Sequence, residues 1–134
     1  MLMKKVLCFG SFDVLHPGHI YYLREAKKLG DYLVVVVARD QTIREVKGKL
    51  PKYDESQRLQ QVSAVPFVDK AVLGYDGDKY KIVEETDPEV ICLGYDQKSF
   101  TYNLEEQLRQ RGLHPHIYRM KPYKEDTYKS SKLK

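Results

Sequence analysis

No apolar stretch in this chain is long enough to cross a bilayer. The longest, Leu33 to Ala38, is a fraction of the roughly 20 residues that a membrane-spanning helix needs. The start, Met1-Leu2-Met3-Lys4-Lys5, lacks the apolar segment and small-residue cleavage site of a secretory leader. The expectation is therefore a cytoplasmic protein with no membrane partner. Cysteine is scarce. Cys8 and Cys92 each lie in an apolar, strand-like run without zinc-ligand spacing, so both are read as small buried hydrophobes, not as a disulfide. Internal repeats and low-complexity segments are missing as well. So is any known nucleic-acid-binding motif, and the aromatics do not form a run interleaved with basic residues. The net charge of +4 fits a small anionic substrate and equally weak nucleic-acid binding, so its sign alone decides nothing; the missing motif is why no nucleic acid is expected among the partners.

What the chain has is an ordinary globular balance. It has 134 residues, 42% hydrophobic and 31% charged, which is enough for one domain with its own core, taken as residues 1–134. Lys4 to Phe9 reads as a first strand, ended by Gly10. Ile20 to Leu29 reads as a helix with Ile20, Leu23 and Ala26 on one face, closed by Gly30. The valine run from Tyr32 to Ala38 suits a parallel strand buried on both faces. Arg39 to Tyr53 is polar and basic, and its second half, with Gly48 and Pro51, reads as a loop. Asp54 to Ala64 follows as a helix capped by Asp54 or Ser56. Beyond it come a strand over Lys70 to Leu73, a helix over Lys79 to Thr86 stopped before Pro88, and a strand over Val90 to Leu93. A helix over Asn103 to Arg111 and a last strand over His116 to Arg119 complete the pattern.

Strand and helix thus alternate about five times, the pattern of an α/β fold with a parallel sheet covered by helices on both faces. Right-handed crossovers favour the strand order 3-2-1-4-5. Ligands in such sheets bind at the carboxyl ends of the strands beside the switch point. Here those ends are Gly10-Ser11-Phe12-Asp13 and Gly94-Tyr95-Asp96.

The first of these loops carries the chemistry. It runs Gly10-Ser11-Phe12-Asp13-Val14-Leu15-His16-Pro17-Gly18-His19, between a strand and a helix. Helix-start amides and the positive dipole end attract anions, Pro17 suits an early helical position, and Gly18 lets a ligand approach the backbone. His16 and His19, three apart, fall on one side of a helical turn, so both imidazoles can reach one phosphate.

Gly10-Ser11-Phe12-Asp13 followed by His16-Pro17-Gly18-His19 resembles the HxGH signature of the cytidylyltransferase-like nucleotidyltransferase superfamily. The resemblance runs over nearly the whole chain and implies a Rossmann-like, single-domain enzyme. Members similar to it include glycerol-3-phosphate cytidylyltransferase. Val37-Ala38-Arg39-Asp40 with Lys47-Gly48-Lys49, and later Leu93-Gly94-Tyr95-Asp96-Gln97, look like the archaeal-type FAD synthase group, as does Tyr123. That likeness implies AMP transfer from ATP to FMN, giving FAD and pyrophosphate.

It also implies roles for particular residues. His16 and His19 would donate to the triphosphate, and the Ser11 and Phe12 amides would cradle it. Lys47 would neutralise charge on the α-phosphate or leaving group, and Arg58 would hold the acceptor or the pyrophosphate. Ser130 and Ser131 would cap phosphate from a closing tail, Asp96 would touch ribose or base, and Asp13 would help hold a divalent ion, magnesium. A homodimer is implied by the resemblance alone. The chain departs from the family pattern at Ser11, where Thr is commoner, and at Lys124, where Arg is frequent.

Three other readings compete, one of them a nucleic-acid binder suggested by the mild basicity, against which the missing motif weighs. The same loop could serve CTP with glycerol 3-phosphate, phosphoethanolamine or a sugar phosphate. It could also bind nucleotide in a module without turnover. Eleven tyrosines, among them Tyr75, Tyr95, Tyr102, Tyr118, Tyr123 and Tyr128, favour a flavin, because its ring needs a flat apolar wall.

Overall fold

The computed structural model describes residues 3–75, 77–78, 80–94 and 104–120. Five strands, β1 (Lys5–Gly10), β2 (Tyr32–Val37), β3 (Lys70–Leu73), β4 (Val90–Leu93) and β5 (His116–Arg119), alternate with five helices. The helices are α1 (Pro17–Lys27), α2 (Asp40–Lys47), α3 (Glu55–Ser63), α4 (Lys81–Thr86) and α5 (Leu104–Gln110). All strand pairs are parallel and their order is β3-β2-β1-β4-β5, as expected.

Side chains alternate across the sheet and sort the core into two layers. Val6, Cys8, Leu33, Val35, Val37 and Cys92 pack with Leu23 and Ala26 of α1 and Val62 of α3. On the other face Leu7, Val34, Val36, Ile91 and Leu93 pack with Ile82 and Val83 of α4 and Leu104 and Leu108 of α5. β2 is buried on both faces because its valines serve both layers. Cys8 and Cys92 sit side by side in register on β1 and β4, as free thiols. Burial pushes Cys92 up to about 12 and Cys8 well above its ordinary value, so both are protonated packing residues, not nucleophiles.

The structure fills in one segment that the pattern left unassigned, moves one helix start and settles one cap. The first half of the polar segment after β2 is a helix, α2. It starts from Arg39 without a side-chain cap and ends at Gly48 in the left-handed conformation, φ 81°. Only Ile43 of this helix is buried, so its apolar periodicity has a single anchor. The first helix begins at Pro17, three residues before the apolar pattern, because His16 itself caps it. The cap of α3 is Asp54, not Ser56. It forms a full capping box with Gln57, in which Asp54 Oδ1 accepts from the Gln57 amide at 2.8 Å and Gln57 Oε1 accepts from the Asp54 amide at 3.1 Å. Among the described residues, no helix is long and apolar enough to cross a membrane.

Candidate active site

The first loop leaves β1 at the centre of the sheet, where β1 parts its neighbours β2 and β4. Gly10 is required there by space. A Cβ on it would lie 2.6 Å from the Phe12 ring, which is buried at 2% exposure. Phe12 takes a positive φ of 51°, a strained conformation for a bulky residue. That backbone turn drives its ring inward, against Tyr22 at 6.5 Å and edge-on to His19 at 5.4 Å.

His16 is extended at the helix N-cap, and its Nδ1 accepts the Gly18 amide at 3.1 Å. With Nδ1 accepting, the proton of the neutral ring sits on Nε2, which is thereby a donor. The His16 and His19 rings stack with centroids 3.8 Å apart and planes 22° from parallel. The two imidazoles that the spacing put on one side of the turn are therefore in contact. The expected supply of helix-start amides is smaller than the sequence implied. The Gly18 amide serves His16, and the His19 amide donates to the His16 carbonyl at 2.9 Å.

Beneath the pair, the Tyr22 hydroxyl donates to the Cys92 carbonyl at 2.8 Å, with the Phe9 carbonyl at 3.3 Å. It bridges the ends of β1 and β4 below the site. Nothing in the sequence singled out Tyr22, although its position three residues after His19 puts it on the same helical side.

Arg58 is 0% exposed. Its Nε donates to the Tyr53 carbonyl at 2.9 Å, one terminal nitrogen to the Ser11 and Ala38 carbonyls at 2.8 and 2.7 Å, and the other to Asp40 Oδ1 at 2.7 Å. The guanidinium is thus spent on tying the phosphate loop, the end of β2 and the start of α3 together. That geometry is at odds with an acceptor-gripping arginine exposed to substrate. Asp40, missed at first, supplies the countercharge. The adjoining Glu55 accepts the Asp40 amide at 2.9 Å and pairs with Arg39 at 3.2 Å.

Asp13 accepts the Lys52 and Tyr53 amides, one on each carboxylate oxygen, both at 2.9 Å. Burial acts to raise its pKa, but these two bonds and the charges of Arg58 and Lys47 outweigh it and hold the carboxyl below its usual value. Among the described residues, no three His, Cys, Asp or Glu side chains gather as a metal site. Asp13 is a clamp on the 52–53 loop, with each carboxylate oxygen accepting a backbone amide.

Asp13→Asn leaves one backbone amide without its acceptor. With the Lys52 amide open to water, it is expected to lower stability by about 0.5–1.5 kcal/mol in denaturant melts, with the magnesium dependence of turnover unchanged. A loss of magnesium affinity with full stability would make Asp13 a ligand after all. The sign of the pH effect follows from the depressed pKa. The Asp13 contribution is complete above the ordinary carboxylate range, near about pH 4, and is lost as pH falls through the lower folded-state value. Asp13→Asn is expected to flatten that part of the acid-stability curve.

Lys47 lies in the last turn of α2, exposed, and near enough to Asp13 for its charge to be felt there. Asp96, Tyr123, Ser130 and Ser131 lie outside the described residues. So do Tyr95, Tyr102 and Tyr128 of the expected tyrosine wall. Of the other two, Tyr75 donates to Glu85 beyond β3, and Tyr118 is exposed on the edge strand β5.

The chain has relatives among known proteins. A FAD synthase of Thermoplasma acidophilum is 48% identical over 98% of this chain and 92% of its own length. One from Aciduliprofundum boonei is 50% identical over 90% of this chain and 80% of its own. The crystal structure of a protein described as a lipopolysaccharide core biosynthesis protein from Thermoplasma volcanium superimposes with a TM-score of 0.86 at 49% identity. It covers 90% of this chain and 98% of that one. The cytidylyltransferase-like family model matches residues 7–134, the span that begins inside β1 and takes in the histidine loop, and the chain belongs to the cytidylyltransferase-like family.

Proposed function

We propose that this protein is an FMN adenylyltransferase, an FAD synthase that joins AMP from ATP to the phosphate of FMN and releases pyrophosphate. The observation that carries the proposal is the stacked His16–His19 pair at the start of α1, at the carboxyl edge of the central strand. It occurs in a chain about half identical, over most of its length, to proteins named FAD synthase.

A phosphate oxygen of FMN attacks the α-phosphorus of ATP, and the bond to the bridging oxygen of pyrophosphate breaks. No covalent enzyme intermediate is needed. The chain's work is positioning and charge stabilisation. His16 Nε2 donates to the oxygens on which charge grows, with the His19 imidazole stacked beside it for the same task. The Ser11 and Phe12 amides and the Ser11 hydroxyl cradle the triphosphate. Lys47 neutralises the α-phosphate or the leaving pyrophosphate. Arg58 is a positioning residue, holding Ser11 and Tyr53 in place through their carbonyls. Asp96, Tyr123, Ser130 and Ser131 keep the nucleotide and phosphate roles implied by the family likeness. Magnesium, supplied with the triphosphate, would neutralise part of its charge, and the enzyme works in the cytoplasm as a homodimer.

The test is a paired reaction. Purified protein with magnesium, ATP and FMN is expected to release pyrophosphate and yield FAD by mass. CTP with glycerol 3-phosphate is expected to yield nothing comparable. The reverse outcome would make the chain a cytidylyltransferase, and silence in both arms would favour a binding module.

A further inference from the structure

Large hydrophobic side chains are exposed at only six described positions: Met3, Val14, Val46, Leu50, Tyr75 and Tyr118. Three of these six belong to two short segments that Asp13 joins. Val14 directly follows Asp13. Leu50 lies two residues before the Lys52–Tyr53 backbone that the Asp13 carboxylate holds at 2.9 Å, and Val46 lies in the last turn of α2, which the Gly48 turn joins to that segment. They are 47%, 60% and 58% exposed.

Helical geometry sharpens the point. Val46 stands three residues after Ile43, which is 4% exposed and is the buried anchor of α2. Val46 therefore shares the helical side of the one buried residue of α2 but stands where the protein no longer covers that side. Leu50 follows the left-handed turn at Gly48 that ends the helix, and is exposed as well. Lys47, Lys49 and Lys52 are interleaved with these apolar residues and are exposed too. An uncovered apolar strip laced with cations, next to the phosphate loop, suits a ligand with one flat apolar end and one anionic end.

Resting on the FAD synthase reading, we infer that Val14, Val46 and Leu50 form the wall on which the acceptor's tricyclic flavin ring lies. The neighbouring lysines meet its phosphate. The strip is then a specificity element: it favours a phosphate ester carrying a broad aromatic ring over one carrying a small polyol. The face that the ring meets on this strip is aliphatic.

The experiment compares wild type with Val46→Ser, Leu50→Ser and the double variant. These positions are more than half exposed, so the variants are expected to melt like wild type. Steady-state kinetics with FMN and ATP, and FMN fluorescence titrations with a non-hydrolysable ATP analogue present, give the readout. The double variant is expected to raise the KM and Kd for FMN about tenfold or more, the scale of losing methyl-sized contacts in an apolar pocket, with the KM for ATP unchanged. FMN affinity within twofold of wild type in all three variants would overturn the inference while leaving FAD synthesis standing. A wild type that makes no FAD would overturn both. Sedimentation that shifts toward the monomer in the double variant, with FMN affinity intact, would assign the strip to a second copy of the chain and also overturn it.

Discussion

His16→Ala and His19→Ala are each expected to lower kcat by about a hundredfold or more, the usual consequence of removing a donor aimed at developing charge. The rings are stacked at 3.8 Å, so neither can take over the other's place without rebuilding the turn. KM for ATP should change far less than kcat, because the contact strengthens as charge builds on the phosphate oxygens. His16 also caps α1, and its alanine variant forfeits about 0.5–2 kcal/mol of stability for that reason alone. His16→Asn separates the two effects. Asparagine restores an N-cap acceptor but offers no Nε2 donor, so stability should recover while turnover stays low. Turnover within a few-fold of wild type in both alanine variants would remove the imidazole pair from the chemistry.

The second large effect lies at Arg58. Arg58→Ala strips the hydrogen-bond partner from three carbonyls and leaves Asp40 facing a void. Asp40 keeps 30% exposure, so the cost falls below the roughly 3–5 kcal/mol of breaking a fully buried pair, yet it is a sizeable share of the roughly 5–15 kcal/mol that holds a typical domain together. Chemical denaturation should show this as a lower midpoint. Arg58→Lys keeps the charge but not the fork that reaches several acceptors at once, and it is the more informative variant. It is expected to fold, with kcat down about tenfold as the Ser11 loop loses its hold and KM for FMN nearly unchanged. A lysine variant as stable as wild type but with a sharply raised KM for FMN would return Arg58 to direct acceptor binding.

These two sites differ in how far the sequence disclosed them. The histidine pair was legible because its signal is local: a strand, a turn with Pro17-Gly18, and two imidazoles at helical spacing. β3, β4 and β5 were legible for a similar reason, since short apolar runs were bounded by polar residues on both sides. Arg58 was readable as a candidate but not as a hub. Three of its partners are backbone carbonyls, which carry no signature in the sequence, and they lie 5, 20 and 47 residues away. The same holds for Asp13, whose partners are the amides of Lys52 and Tyr53. α2 escaped because one buried residue, Ile43, does not make a visible stripe. Its unburied companion Val46 becomes informative only once the helix is in place.

Tyr22 gives α1 a second attachment, because the helix that presents His19 is also the one whose phenol grips both strands at the parting of the sheet. Three residues, less than one helical turn, separate the His19 ring from a phenol anchored on β1 and β4. The imidazole is thus located twice, by its own turn and by the centre of the sheet.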